Sequence, residues 1–219
     1  MAFEGGERRQ VIEGAVGGLE LVATAPSEAG PLLGGSYVAV VCHPHPLHGG
    51  TMDNKVISTL VRSYRDLGVP VVRFNFRGVG GSEGVHDHAV GEVDDLLAVV
   101  EWAQEHYPAA KLLLAGFSFG SSVAAQAAHF VGRELAHLVL VAPPVERYLF
   151  DRDGKFPAPV AVIVAEQDEL VDVEGLLLWA QALVGPVAVL RYGQASHFFH
   201  GSLVDMKRDL SEQLRKDLP

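Results

Sequence analysis

Ser118 stands between two glycines in the run Gly116-Phe117-Ser118-Phe119-Gly120. A serine hydroxyl is a weak nucleophile at neutral pH. It attacks a carbonyl only when a base takes its proton and a third group orients that base. Before the run lies 111–115, an apolar stretch of strand length, and after it lies 121–128, small residues with good helix propensity. On a tight strand-to-helix turn the positions two before and two after the serine crowd each other. Glycine at both relieves that crowding and lets the hydroxyl project clear of a sheet. The pattern predicts a nucleophile poised for acyl transfer.

The orienting acid is expected just beyond the apolar strand 159–165, where Glu166, Asp168, Glu169 and Asp172 gather. Asp168 is placed to turn back over the sheet, while Glu169 and Asp172 read as solvated or capping acids. For the base there are ten histidines, and only His197 and His200 follow the last strand. His197 is nearer the strand end and completes the chain order Ser, Asp, His; His200 is the alternative. Negative charge developing on a carbonyl oxygen needs backbone N–H donors. Phe119, opening the helix after the nucleophile, supplies one, where the helix dipole also favours an anion. The second is expected from 42–50, where Pro44 and Pro46 have no N–H and hold His45 between them. The His45 amide is nominated, with Leu47 as alternative.

These loops share one face only if their strands run parallel. Short β-rich runs at 10–13, 20–24, 37–42, 69–74, 111–116, 138–142, 160–166 and 187–192 alternate, after the second, with helical patterns. That alternation predicts an α/β fold with a mostly parallel, doubly wound sheet and helices on both faces. The first two runs, joined through Gly14, Gly17 and Gly18, predict an antiparallel hairpin at one edge. In 90–103, Val90, Val93, Leu96, Leu97, Val100 and Ala103 form an apolar stripe, with Glu92, Asp95 and Glu101 on the other face. Leu60, Val61, Tyr64 and Leu67 form a second stripe before Gly68, and 173–184 and 203–218 supply two more helices.

The 219 residues suit one domain, 1–219, with no dividing linker. Hydrophobic content of 48% with 20% charged residues fits a soluble globular chain. A single cysteine, Cys42, sits in an apolar strand and reads as a small buried hydrophobe in a reducing compartment. The first nine residues lack a secretory pattern, and no run is apolar enough to span a bilayer. A net charge of −10 argues against nucleic acid or an anionic membrane as partner. A cytoplasmic location is expected; the oligomeric state is open. His43, His45 and His48, with His86 and His88 further on, invite a metal reading. The intervening prolines restrict it, and packing beneath the oxyanion loop is the expected role.

With these residues placed, the chain resembles the α/β-hydrolase superfamily. The resemblance rests on His43-Pro44-His45-Pro46 through Gly49-Gly50-Thr51-Met52-Asp53-Asn54-Lys55-Val56, on Phe74-Asn75-Phe76-Arg77-Gly78-Val79-Gly80-Gly81-Ser82, on the Ser118 run, and on Asp168 with His197. More narrowly, the chain is similar to small bacterial lidless serine hydrolases, dienelactone-hydrolase-like in size. The resemblance implies an eight-stranded sheet with strand two antiparallel, and Ser118, Asp168 and His197 as a triad. It implies a structural ion pair for Arg77, no cofactor, no metal, and a small-molecule ester as substrate. Thioesters, short lactones, or ligand binding without catalysis on the same fold are the alternatives. Many superfamily members insert a helical lid after the sixth strand, where this chain offers only the short 145–158. An open site follows, with Tyr148, Leu149, Phe150 and Phe198 as its apolar lining.

Overall fold

In the computed structural model, which describes residues 6–150 and 153–218, the apolar runs form one eight-stranded sheet. Residues 1–5, part of the segment read above for a leader, lie outside the described residues, as do 151 and 152 within 145–158. The strands are β1 (Glu7–Gly14), β2 (Gly17–Thr24), β3 (Tyr37–Cys42), β4 (Val71–Phe74), β5 (Lys111–Phe117), β6 (Leu135–Val141), β7 (Val160–Ala165) and β8 (Val187–Tyr192). Their order is β1-β2-β4-β3-β5-β6-β7-β8. β1 pairs antiparallel with β2, and β2 with β4; the remaining pairs are parallel, so β2 alone runs against the sheet. β4 begins at Val71, later than the apolar pattern suggested. Pro70 has no N–H for the ladder, although its carbonyl still accepts from Ala39 N–H.

Among the described residues, five α-helices cover the sheet: α1 (Lys55–Asp66), α2 (Gly91–His106), α3 (Phe119–Val131), α4 (Val173–Ala182) and α5 (Leu203–Asp217). Strand side chains alternate between two apolar layers. Val38, Val40, Cys42, Leu112 and Leu114 pack in the layer that holds α2, α3 and α4 residues. Ala39, Val41, Leu113, Ala115 and Phe117 pack in the layer that holds α1 and α5 residues. Burial on both faces explains why these strands read as continuous apolar runs. Among the described residues, no helix is long and apolar enough to cross a membrane.

Helix α2 corrects the stripe drawn from its sequence. Val90 is exposed, whereas Glu92 and Asp95, assigned to the solvent face, are fully buried. Asp95 receives Arg77 in a bidentate pair, with N–O distances of 2.8 to 3.1 Å, and also accepts the Arg77 backbone N–H at 2.9 Å. Glu92 accepts the N–H groups of Asp87 and Ala89 at 2.8 and 2.9 Å. Burial of these charges is tolerated because each is fully engaged.

β3 and β5 are neighbours, while the chain leaves β3 for β4 on one side before returning to β5. Carboxyl-end loops diverge at such a switch point and leave a crevice. Cys42 and Gly116 are register partners at its floor. The His43–Gly50 loop and the Ser118 turn therefore rise side by side.

Candidate active site

Ser118 has φ 53° and ψ −121°, a left-handed φ that a non-glycine residue adopts only under constraint. Its N–H donates to Val141 O at 2.8 Å, and its carbonyl accepts from the Ser121 hydroxyl at 2.5 Å. A Cβ at 116 would lie 2.1 Å from Gly120 O, and one at 120 would lie 2.5 Å from both Cys42 O and His43 O. Only glycine fits at either position. The turn thus seats α3 directly on the backbone that leaves β3.

His197 follows β8 and is 2% exposed. Its Nε2 lies 3.0 Å from Ser118 Oγ, and its Nδ1 lies 2.8 and 3.0 Å from Asp168 Oδ2 and Oδ1. Asp168 follows β7 and also accepts the N–H groups of Leu170 and Val171 at 2.8 and 3.0 Å. Asp168, His197 and Ser118 therefore form one hydrogen-bonded line. With the Asp168 carboxylate at Nδ1, the tautomer carrying hydrogen there leaves the Nε2 lone pair facing the serine. His200 is exposed and lines a separate cleft with Lys55 and Phe198, away from this line. Glu169, read as solvated, is exposed, yet it accepts the His197 backbone N–H at 3.1 Å.

The Phe119 N–H opens α3 and has no acceptor among the described residues; the same holds for the His45 N–H. The Leu47 N–H, by contrast, donates to His45 Nδ1 at 3.2 Å. Of the two amides nominated for the second donor, the His45 one is the unengaged one. The His45 ring stacks on His48 with centroids 4.5 Å apart and lies 5.0 Å from the Phe119 ring. Burial, reinforced by the imidazoles of His48 and His86, pushes His45 down from 6.5 to about 4, so its ring is neutral at pH 7. His43 is fully buried. Among the described residues no group of three or more His, Cys, Asp or Glu side chains is arranged to hold a metal ion.

The hollow over Ser118 measures about 110 Å³ and is walled by Pro144, Arg147, Tyr148, Leu170 and Val171. This is below the roughly 300 Å³ at which pockets for drug-sized ligands begin. Of the four apolar lining residues expected, Tyr148 lines it. Phe150 is instead buried in the core, its ring 5.4 Å from that of Trp179. Phe198 packs against Phe117 and His197 and lines the separate cleft with His200, and Leu149 is exposed and does not line the hollow. Sequence reasoning missed Leu170 and Val171, which enter through the turn that Asp168 caps.

A family model described as alpha/beta hydrolase fold matches residues 46–152. A crystal structure from Xanthomonas campestris, XC6422, described as a member of a/b serine hydrolase without lid, is 38% identical to the chain. It superposes with a TM-score of 0.90, covering 99% of this chain and 97% of that one. An alpha-beta serine hydrolase homologue from Coxiella burnetii is 39% identical, with a TM-score of 0.89 over 97% of this chain and all (100%) of that one. The uncharacterized protein RP471 of Rickettsia prowazekii (strain Madrid E) is 32% identical over an alignment of 213 residues that covers 92% of this chain and 85% of that protein.

Proposed function

The chain belongs to the lidless α/β serine hydrolases, and from that premise we propose that it cleaves a small or accessible carboxylic ester through an acyl-enzyme. The observation that carries this reading is the unbroken line from Asp168 through His197 to Ser118, with two unengaged amides beside it.

Ser118 Oγ adds to the ester carbonyl carbon as His197 Nε2 takes the hydroxyl proton. Asp168 keeps the imidazole oriented and stabilises its cationic form. The carbonyl oxygen, now negative, is held by the N–H groups of Phe119 and His45. Collapse of the adduct breaks the bond to the alcohol oxygen, which leaves with the proton that His197 returns. Water, deprotonated by His197, then attacks the Ser118 ester and frees the acid. Every proton and charge in the sequence is handled by a protein group, so the reading calls for no metal or cofactor. A hollow of about 110 Å³ favours a small acyl group or one lying partly outside the protein.

The test is a panel of esters and thioesters of increasing acyl length, with Ser118→Ala as control. Short esters are expected to be the better substrates, and the variant to lose on the order of 10⁴-fold in kcat. Near-full turnover in the variant would overturn the assignment. A fluorophosphonate that fails to label folded wild-type protein would point to ligand binding without catalysis.

A further inference from the structure

His43 sits on the carboxyl end of β3 with no exposure to solvent and makes two hydrogen bonds of opposite sense. Its Nδ1 lies 2.6 Å from Pro44 O, which can only accept, and its Nε2 lies 3.0 Å from the Phe76 backbone N, which can only donate. Only the neutral ring with hydrogen on Nδ1 satisfies both. Burial pushes this imidazole from 6.5 down to about 4, which agrees with a neutral ring.

The Pro44 carbonyl belongs to the same peptide unit as the His45 N–H. Among the described residues no peptide is cis, and in a planar trans unit the C=O and N–H point in opposite directions. Fixing the carbonyl toward His43 therefore turns the His45 N–H away from His43, and that N–H is the unengaged one. The far side of His45 is held too, since its own carbonyl accepts from His48 and Gly50 N–H groups at 3.1 and 3.0 Å.

We propose that His43 is a positioning residue that sets the oxyanion site by holding the Pro44–His45 peptide through its Nδ1–H while its Nε2 is anchored to the Phe76 N–H just beyond β4. It touches no reacting atom. Its Nδ1–H orients the amide that binds the developing negative charge, and its Nε2 ties the loop to Phe76. The proposal rests on the serine hydrolase reading above.

The two ring nitrogens can be separated by substitution. Asn places an amide N–H near the position of Nδ1 and preserves the bond to Pro44 O. Gln reaches the position of Nε2 and preserves the acceptor for Phe76 N–H, leaving Pro44 O without its donor. On the best ester of the panel, His43→Gln is expected to lose on the order of 10²-fold in kcat, the scale of losing one oxyanion donor, with KM nearly unchanged. His43→Asn is expected to stay within about tenfold of wild type on the same scale. A merely structural histidine would make both variants lose activity in parallel with their thermal stability, and that result overturns the proposal. Should the variants not fold, ¹⁵N NMR of the wild-type imidazole decides. Hydrogen on Nδ1 supports the clamp, and hydrogen on Nε2 overturns it. Wild-type protein without Ser118-dependent turnover overturns the hydrolase reading and the inference together; a normal wild type with no Asn–Gln difference overturns the inference alone.

Discussion

Glu169 accepts the backbone N–H of His197 while its neighbour Asp168 holds the imidazole of the same residue. Two successive carboxylates thus fix one histidine, one by its main chain and the other by its ring. The backbone contact is part-buried and ends on an exposed residue, whereas the ring contact joins two side chains each 2% exposed, so their worth differs.

Asp168→Asn is expected to lower kcat by about 10⁴-fold with KM little changed, because an amide at Nδ1 favours the wrong tautomer. Glu169→Gln keeps an acceptor for the N–H and is expected to cost less than about tenfold, in keeping with the modest net worth of a single hydrogen bond. Steady-state kinetics on both variants check this. Equal losses would mean that the two carboxylates share one role.

Arg77 and Asp95 form a pair with side chains 6% and 0% exposed. Arg77→Met strands the carboxylate and is expected to cost about 3–5 kcal/mol, whereas Arg77→Met with Asp95→Leu should recover much of the loss. Urea unfolding reads both. A double variant no more stable than the single one would show that the pair contributes shape rather than charge.

His43 carries a pH signature. Its value of about 4 in the folded protein lies below the ordinary 6.5, so between those pH values the unfolded chain binds the extra proton. Stability therefore falls as pH drops from about 6.5 to about 4 and levels off below. The loss from this group is on the order of 3 kcal/mol. Urea midpoints measured between pH 7 and pH 4 should slope less in His43→Asn than in wild type. Equal slopes would remove His43 from the account.

The site was readable in sequence where local sterics dictate residue type. Glycine at 116 and 120 is required by a turn, and Pro44 and Pro46 exclude themselves as donors. Strand-end placement then limited the candidate base to His197 or His200, of which the structure brings His197 to Ser118. Roles that depend on a partner far along the chain were less legible. Glu92 and Asp95 sit in a helical pattern that marks charge as solvent-facing. They are buried because Arg77 and the 86–89 loop come to meet them, and no local period encodes that meeting. Phe150 resembled a pocket residue because it follows Tyr148, but its ring turns inward to Trp179. Glu169 looked like any loop acid until the His197 backbone arrived beside it.

Gly120 lies against the carbonyls of Cys42 and His43, with no room between them for a single methyl group. Helix α3 and the His43–Gly50 loop consequently share one boundary, so a displacement of either presses on the other. For the esterase proposed above, the expected rate limit is therefore substrate arrival or product departure rather than assembly of the site.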